Sequence, residues 1–245
     1  MQHILITGAS AGIGAAISQK LAGPDTRLSL GARRVERLSK VVADGFHHSL
    51  DVTDEASVEA FLAAAVEANG PIDVLVNNAG LARGVELIAE ADGAAWREMM
   101  ETNVFGVLHM TRRVLPSMLE RSSGHIVMIG SIAGIQTYER GSVYCASKRA
   151  LAAITEGLRL EVHGTGIRVT SVNPGMVETE FSLVRFEGDT EKAKTPYKNT
   201  RPLVAEDVAE CVAFAISRPI HVNIDHMLVM PTDQAAATMV HRREK

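Results

Sequence analysis

The stretch ILITGASAGIG, positions 4–14, decides the fold. Ile4, Leu5 and Ile6 make a short apolar run, and three glycines, Gly8, Gly12 and Gly14, follow it at once. Glycine weakens helices and strands alike, because it loses the most backbone freedom on ordering. Three of them after a buried strand mark a tight turn where another group comes close to the backbone. A helical pattern begins at Gly12 and stops at Gly23-Pro24. The start of that helix offers free N–H groups and a positive dipole end, which suits an anion such as a pyrophosphate. Read alone, the turn is also compatible with a loop that only requires positive φ.

Outward from this unit the pattern repeats. Strands are expected at 4–7, 28–32, 46–52, 72–77, 125–130, 167–172 and within 221–230. Helices are expected at 12–22, 35–42, 55–69, about 94–121, 142–163 and 205–217. Strands alternating with helices of this length need crossover connections, hence a parallel sheet covered on both faces. The expected fold class is α/β: a single doubly wound Rossmann domain over 1–245, with a mostly parallel seven-stranded sheet flanked by helices. The segment at about 176–202 breaks the rhythm and mixes aromatic with basic residues, as a substrate lid does; 231–245 form a C-terminal tail.

Composition narrows the function classes. The net charge of −4 gives no general attraction to nucleic acid or an anionic membrane. No stretch reaches the ~18 apolar residues of a membrane span. The first strand pattern begins at His3, which leaves no room for a signal peptide. Cys145 and Cys211 make no disulfide framework, and a cytoplasmic location is expected. The nine histidines show no metal-ligand spacing, so no metal is expected.

Two further stretches carry chemistry. The second strand ends in Arg33-Arg34, with no acid where NAD-binding folds place one for the ribose hydroxyls. Two guanidiniums suit a 2′-phosphate, which points to NADP(H); solvated residues at a helix start are the alternative. In YCASK, Tyr144 and Lys148 are four apart and share a helix face. An ammonium beside the phenol is expected to lower its pKa and fit it for proton transfer with a carbonyl or alcohol oxygen. Ser131 ends the preceding strand, and Asp51, Asn77–Gly80 and Pro174-Gly175 end others, where an open parallel sheet binds its ligand.

With these residues in place the chain resembles the short-chain dehydrogenase/reductases over its whole length. The resemblance rests on the glycine turn, DVTD at Asp51, NNAG at Asn77–Gly80, TNVFG with Asn103, Ser131, Tyr144-x-x-x-Lys148 and NPGMVET ending at Thr179. It implies Tyr144 as acid/base, Ser131 on the substrate oxygen, Lys148 on the nicotinamide ribose and Asn103 in a proton relay. It implies cofactor contacts from Gly8, Ser10, Gly12, Ile13, Gly14, Arg33, Arg34, Asp51, Val52, Asn78, Ala79, Gly80, Tyr144, Lys148, Pro174, Gly175, Val177 and Thr179. Asp51 and Val52 would flank the adenine and Asn78 the adenosine-side ribose.

The lid and tail further resemble the NADP-dependent 3-hydroxy acid dehydrogenases, which act on serine and L-allo-threonine. A small anionic substrate needs a cation. Arg185 is the candidate, with Arg201 and Lys198 behind it; a salt bridge from Arg185 to Glu180 or Glu187 is the structural alternative. Reduction of another anionic aldehyde such as sulfoacetaldehyde, and NADPH binding without turnover, are the rival functions. The resemblance also implies a homotetramer built through the two long helices.

Overall fold

The computed structural model describes residues 1–244; Lys245, the last residue of the expected tail, lies outside the described residues. Strands β1 (Gln2–Thr7), β2 (Thr26–Ala32), β3 (Phe46–Ser49), β4 (Val74–Asn77), β5 (Gly124–Ile129), β6 (Ile167–Pro174) and β7 (His226–Val229) form a sheet in the order β3-β2-β1-β4-β5-β6-β7. Each pairing is parallel, where the sequence suggested a mostly parallel sheet. Ile4 stands opposite both Leu28 and Val74, so the order reverses beside β1 and opens a crevice at the carboxyl ends of the strands.

The helices are α1 (Gly12–Leu21), α2 (Leu38–Val41), α3 (Glu55–Asn69), α4 (Gly93–Met100), α5 (Gly106–Glu120), α6 (Ser142–Glu161), α7 (Glu180–Arg185), α8 (Thr190–Lys194) and α9 (Ala205–Ile216). Alternate strand residues point to opposite faces, and both faces are buried. Ile4, Ile6, Val74 and Val76 pack with Ile17 of α1 and Val208 and Val212 of α9. Leu5, Leu75, Ile126 and Met128 pack with Phe61 of α3, Met110 of α5 and Leu151 and Leu158 of α6. That is why the strands read as continuous apolar runs rather than alternating ones. Among the described residues no helix is long and apolar enough to cross a membrane.

The sequence and the structure differ in several places. The single helix expected at about 94–121 is two helices joined by a π turn, Glu101–Phe105, in which Gly106 N–H reaches back to the Glu101 carbonyl. The extra residue shifts the helical phase without ending the helix, so periodicity alone does not expose it. β3 stops at Ser49 because Asp51 turns the chain, its Oδ1 accepting from Thr53 N–H at 3.0 Å. The lid region 176–202 is partly helical: α7 and α8 lie within it.

His125 on β5 is a structural histidine. It is buried, with Nε2 2.8 Å from Thr170 Oγ1. Burial, aided by the Arg168 charge, pulls its pKa down to about 3. The unfolded chain therefore takes up this proton first as pH falls from the ordinary histidine value of 6.5 towards 3, and stability is lost across that window. Between pH 7 and 5 the wild type is expected to lose about 2 kcal/mol more than a His125→Gln variant. Urea unfolding of both proteins at the two pH values checks this; equal losses would contradict it.

Candidate active site

The glycine turn between β1 and α1 is held open by its neighbours. Gly8 and Gly12 have φ of +66° and +55°. Asn78, at the end of β4, donates from Nδ2 to the carbonyls of Thr7 at 2.9 Å and Gly8 at 3.2 Å. Thr7 Oγ1 accepts from the N–H groups of Asn78 and Ala79, each at 3.0 Å. The Asn78 Nδ2 is thus held by the turn itself. A Cβ on Gly14 would overlap the Asn78 amide and the Gly8 carbonyl oxygen. Gly14→Ala is expected to cost about 1–3 kcal/mol by overpacking, read from the urea midpoint; an unchanged midpoint would show that the turn yields freely. No side chain caps α1 and no acid lies in its first turn, so its leading N–H groups remain available to an anion.

A cavity of about 1010 Å³ runs from this turn along the carboxyl ends of the strands to α7. Every residue that the resemblance assigns to the cofactor lines it, as do Ser131, Tyr144, Lys148 and Arg185; Asn103 does not. Arg33, Arg34, Asp51 and Val52 stand at one end; Ser131, Tyr144, Lys148 and Arg185 stand at the other. Arg201 and Lys198 do not reach it. Gly12 packs against Thr179, whose Oγ1 caps α7 by accepting from Phe181 N–H at 3.2 Å. Val177 pairs in a short bridge with Leu203. Pro174 closes β6, and Gly175 N–H bonds the Val229 carbonyl at 2.7 Å.

The C-terminal tail folds against the lid of its own chain. Gln234 accepts from Met176 N–H at 2.8 Å, and Asp233 from Arg201 N–H at 2.7 Å and Arg243 Nε at 3.1 Å. Arg242 reaches the Lys198 carbonyl at 2.5 Å, and Gln234, Ala237, Val240 and Arg242 join the cavity wall.

The reactive end is built on α6 and the strand β5. Tyr144 and Lys148 lie one turn apart on α6, both buried. Ser131 Oγ accepts from Ala133 N–H at 3.1 Å, which leaves its own hydrogen free to donate. Asn103 sits behind them in the π turn. Its Oδ1 accepts from Leu81 N–H at 2.9 Å, and its Nδ2 donates to the Leu81 carbonyl at 2.8 Å and Ser147 Oγ at 3.0 Å. Its side chain therefore braces the wall, and any relay would run through other atoms.

Burial pushes the Tyr144 phenol above its ordinary range, and Tyr138 adds to this, while the Ser131 hydroxyl and the Arg185 guanidinium oppose it. Lys148 Nζ donates to the Ile129 carbonyl at 2.9 Å, and burial pulls its pKa down to about 8. In this arrangement burial outweighs the lowering of Tyr144 by Lys148 that the spacing suggests, and the ammonium is held by a carbonyl.

Arg185 makes no salt bridge with Glu180 or Glu187. Its Nε donates to the Gly84 carbonyl at 3.0 Å and its Nη1 to Tyr138 Oη at 3.1 Å. The guanidinium stands 5.6 Å from the Tyr138 ring centre and 5.9 Å from that of Tyr144. Arg83, paired with Glu98 at 2.6 Å, ties the same end of α7 by donating to the Val184 carbonyl at 2.7 Å. Glu180 instead takes Arg34 at 2.9 Å and Arg37 at 3.0 Å. Tyr138, Arg37, Glu98 and the tail residues had no motif or local period to reveal them.

The comparisons with known proteins agree with this geometry. A family model for short chain dehydrogenases matches residues 2–189. The chain belongs to the short-chain dehydrogenase/reductase family, and it is an oxidoreductase of that type. It is 43% identical over 250 residues to an NADP-dependent 3-hydroxy acid dehydrogenase of Schizosaccharomyces pombe, covering 98% of this chain and 96% of the relative. It is 42% identical to sulfoacetaldehyde reductase 2 of Chromohalobacter salexigens, with 95% of each covered. The closed form of serine dehydrogenase complexed with NADP⁺ superposes with a TM-score of 0.93 at 41% identity, over 99% of this chain and 100% of that one.

Proposed function

We propose that the protein interconverts a small 3-hydroxy acid of the serine or L-allo-threonine type and its carbonyl, with NADP(H) as redox partner. The observation that carries this reading is Arg185, a cation fixed inside the cavity by Gly84 and Tyr138 and set over the Tyr144 ring. A carboxylate beside the reacting carbon pairs with such a fork. The glycine turn with its uncapped helix fits a pyrophosphate, and Arg33 and Arg34 fit a 2′-phosphate at the far end. Asp51 and Val52 would flank the adenine, and Pro174, Gly175, Val177 and Thr179 the nicotinamide end.

A nicotinamide dinucleotide, when bound, supplies or accepts the hydride. The chain does the rest. Ser131 donates its hydrogen to the substrate oxygen and holds it beside Tyr144. In reduction Tyr144 gives its phenolic proton to that oxygen; in oxidation it takes the hydroxyl proton. Lys148, with its pKa near 8, lies one turn away and compensates the charge that a phenolate develops. Arg185 holds the carboxylate.

The test is NADP⁺ reduction with L-serine, L-allo-threonine and 3-hydroxypropionate. Turnover of these acids is the expected result. Silence with all three, together with fast NADPH oxidation by sulfoacetaldehyde, would move the substrate to a sulfonate, which the same guanidinium would bind and which the name of one relative suggests. Cofactor binding without turnover of either class would leave a binding protein only. In this reading the chain forms a homotetramer through α5 and α6, along which Leu108, Leu119 and Leu160 are exposed, and acts in the cytoplasm with Cys145 and Cys211 as free thiols. A solution mass of one chain by light scattering would remove the tetramer.

A further inference from the structure

Glu180 is not among the residues that the sequence assigned, yet it occupies a telling place. It lies on α7, next to Thr179, and its carboxylate lines the cavity. Arg34 Nη1 donates to its Oε2 at 2.9 Å, and Arg37 Nη1 to its Oε1 and Oε2 at 3.0 and 3.2 Å. A carboxylate of the lid is thus gripped by one of the two arginines read as holding a 2′-phosphate, and by a third, Arg37.

We propose that Glu180 is an internal stand-in for the 2′-phosphate, so that the lid sets how strongly the chain discriminates NADP(H) from NAD(H). The inference rests on the NADP(H) reading above. A phosphate brings more charge and more acceptor oxygens than a carboxylate, so it is the better partner for Arg34. Both side chains of the existing pair are about two-fifths exposed, 42% for Arg34 and 44% for Glu180, so water screens the pair and little is lost when it opens. Glu180 must then give up Arg34, and its negative charge stays close to the incoming phosphate. It therefore weakens NADP(H) binding. NAD(H), with no phosphate there, has nothing to displace. Arg37 keeps hold of Glu180 during the exchange and so keeps α7 docked.

The experiment is a titration of NADPH and of NADH, followed by nicotinamide fluorescence, into the wild type, Glu180→Gln, Arg34→Ala and the double variant Arg34→Ala, Glu180→Gln. Glu180→Gln is expected to tighten NADPH roughly two- to fivefold, the range of an exposed ion pair, and to leave NADH unchanged. In the Arg34→Ala background the gain should vanish. NADPH binding that stays the same or weakens in Glu180→Gln would make Glu180 a mere support for the arginines and overturn the inference. So would equal tightening of NADH. A wild type that prefers NADPH, whatever the variants do, keeps the cofactor reading; a wild type that binds both alike overturns that reading and the inference with it.

Discussion

Tyr144→Phe is expected to lower kcat roughly 10²- to 10⁴-fold, the usual contribution of a positioned general acid or base. Only the hydroxyl is removed, and the ring keeps its packing against Phe181, 5.6 Å away between centres. The fold and cofactor affinity should therefore remain, which separates a chemical from a structural loss. The measurement is steady-state turnover of the hydroxy acid beside a thermal melt and an NADPH titration. Retention of more than a tenth of kcat would remove Tyr144 from the proton transfer. With the hydroxyl gone, the remaining activity of the variant should also lose any pH dependence that arises from this group.

Arg185→Ala has the second large effect. A hydrogen-bonded contact to a charged group contributes about 1.5–3 kcal/mol, so kcat/KM for hydroxy acids should fall roughly 10- to 100-fold. A neutral aldehyde of similar size makes no use of the charge and should change little. That comparison matters because Arg185 also ties α7 to Gly84; a loosened lid would depress both substrates equally and would refute a carboxylate role. Arg185→Lys should rescue poorly, because an ammonium cannot bond Gly84, Tyr138 and a carboxylate in one plane.

What the chain reveals before folding divides by distance. The glycine turn, the parallel sheet and the strand-end positions of Ser131, Asp51 and Pro174 are local patterns, and they were legible. So was the strand-end part of the cavity wall, because the carboxyl ends of parallel strands converge by topology. The partnerships were not. Glu180 meets Arg34 and Arg37, and Arg83 meets Val184, across long separations that leave no period in the sequence. The identities of Asn78 and Asn103 were readable, but which carbonyls their amides satisfy depends on neighbours from other elements. Spacing likewise placed Lys148 beside Tyr144, yet burial outweighs that proximity for both groups. The π turn carries no breaker residue of its own, and the helix runs on through it with a shifted phase, so nothing local marks it.

The wholly parallel sheet has a consequence for how the chain reaches its native state. No strand can pair through a hairpin, and β1, the hub of the sheet, finds its second neighbour only when Ile4 meets Val74. At a synthesis rate of about 5–20 residues per second, that partner leaves the ribosome roughly 4–14 s after the first strand. For those seconds Ile4, Leu5 and Ile6, wholly buried in the finished molecule, have one exposed edge. Slow assembly and exposure of apolar strands to aggregation are the kinetic cost of such non-local pairing, and slower translation at the start of β4 would lengthen it.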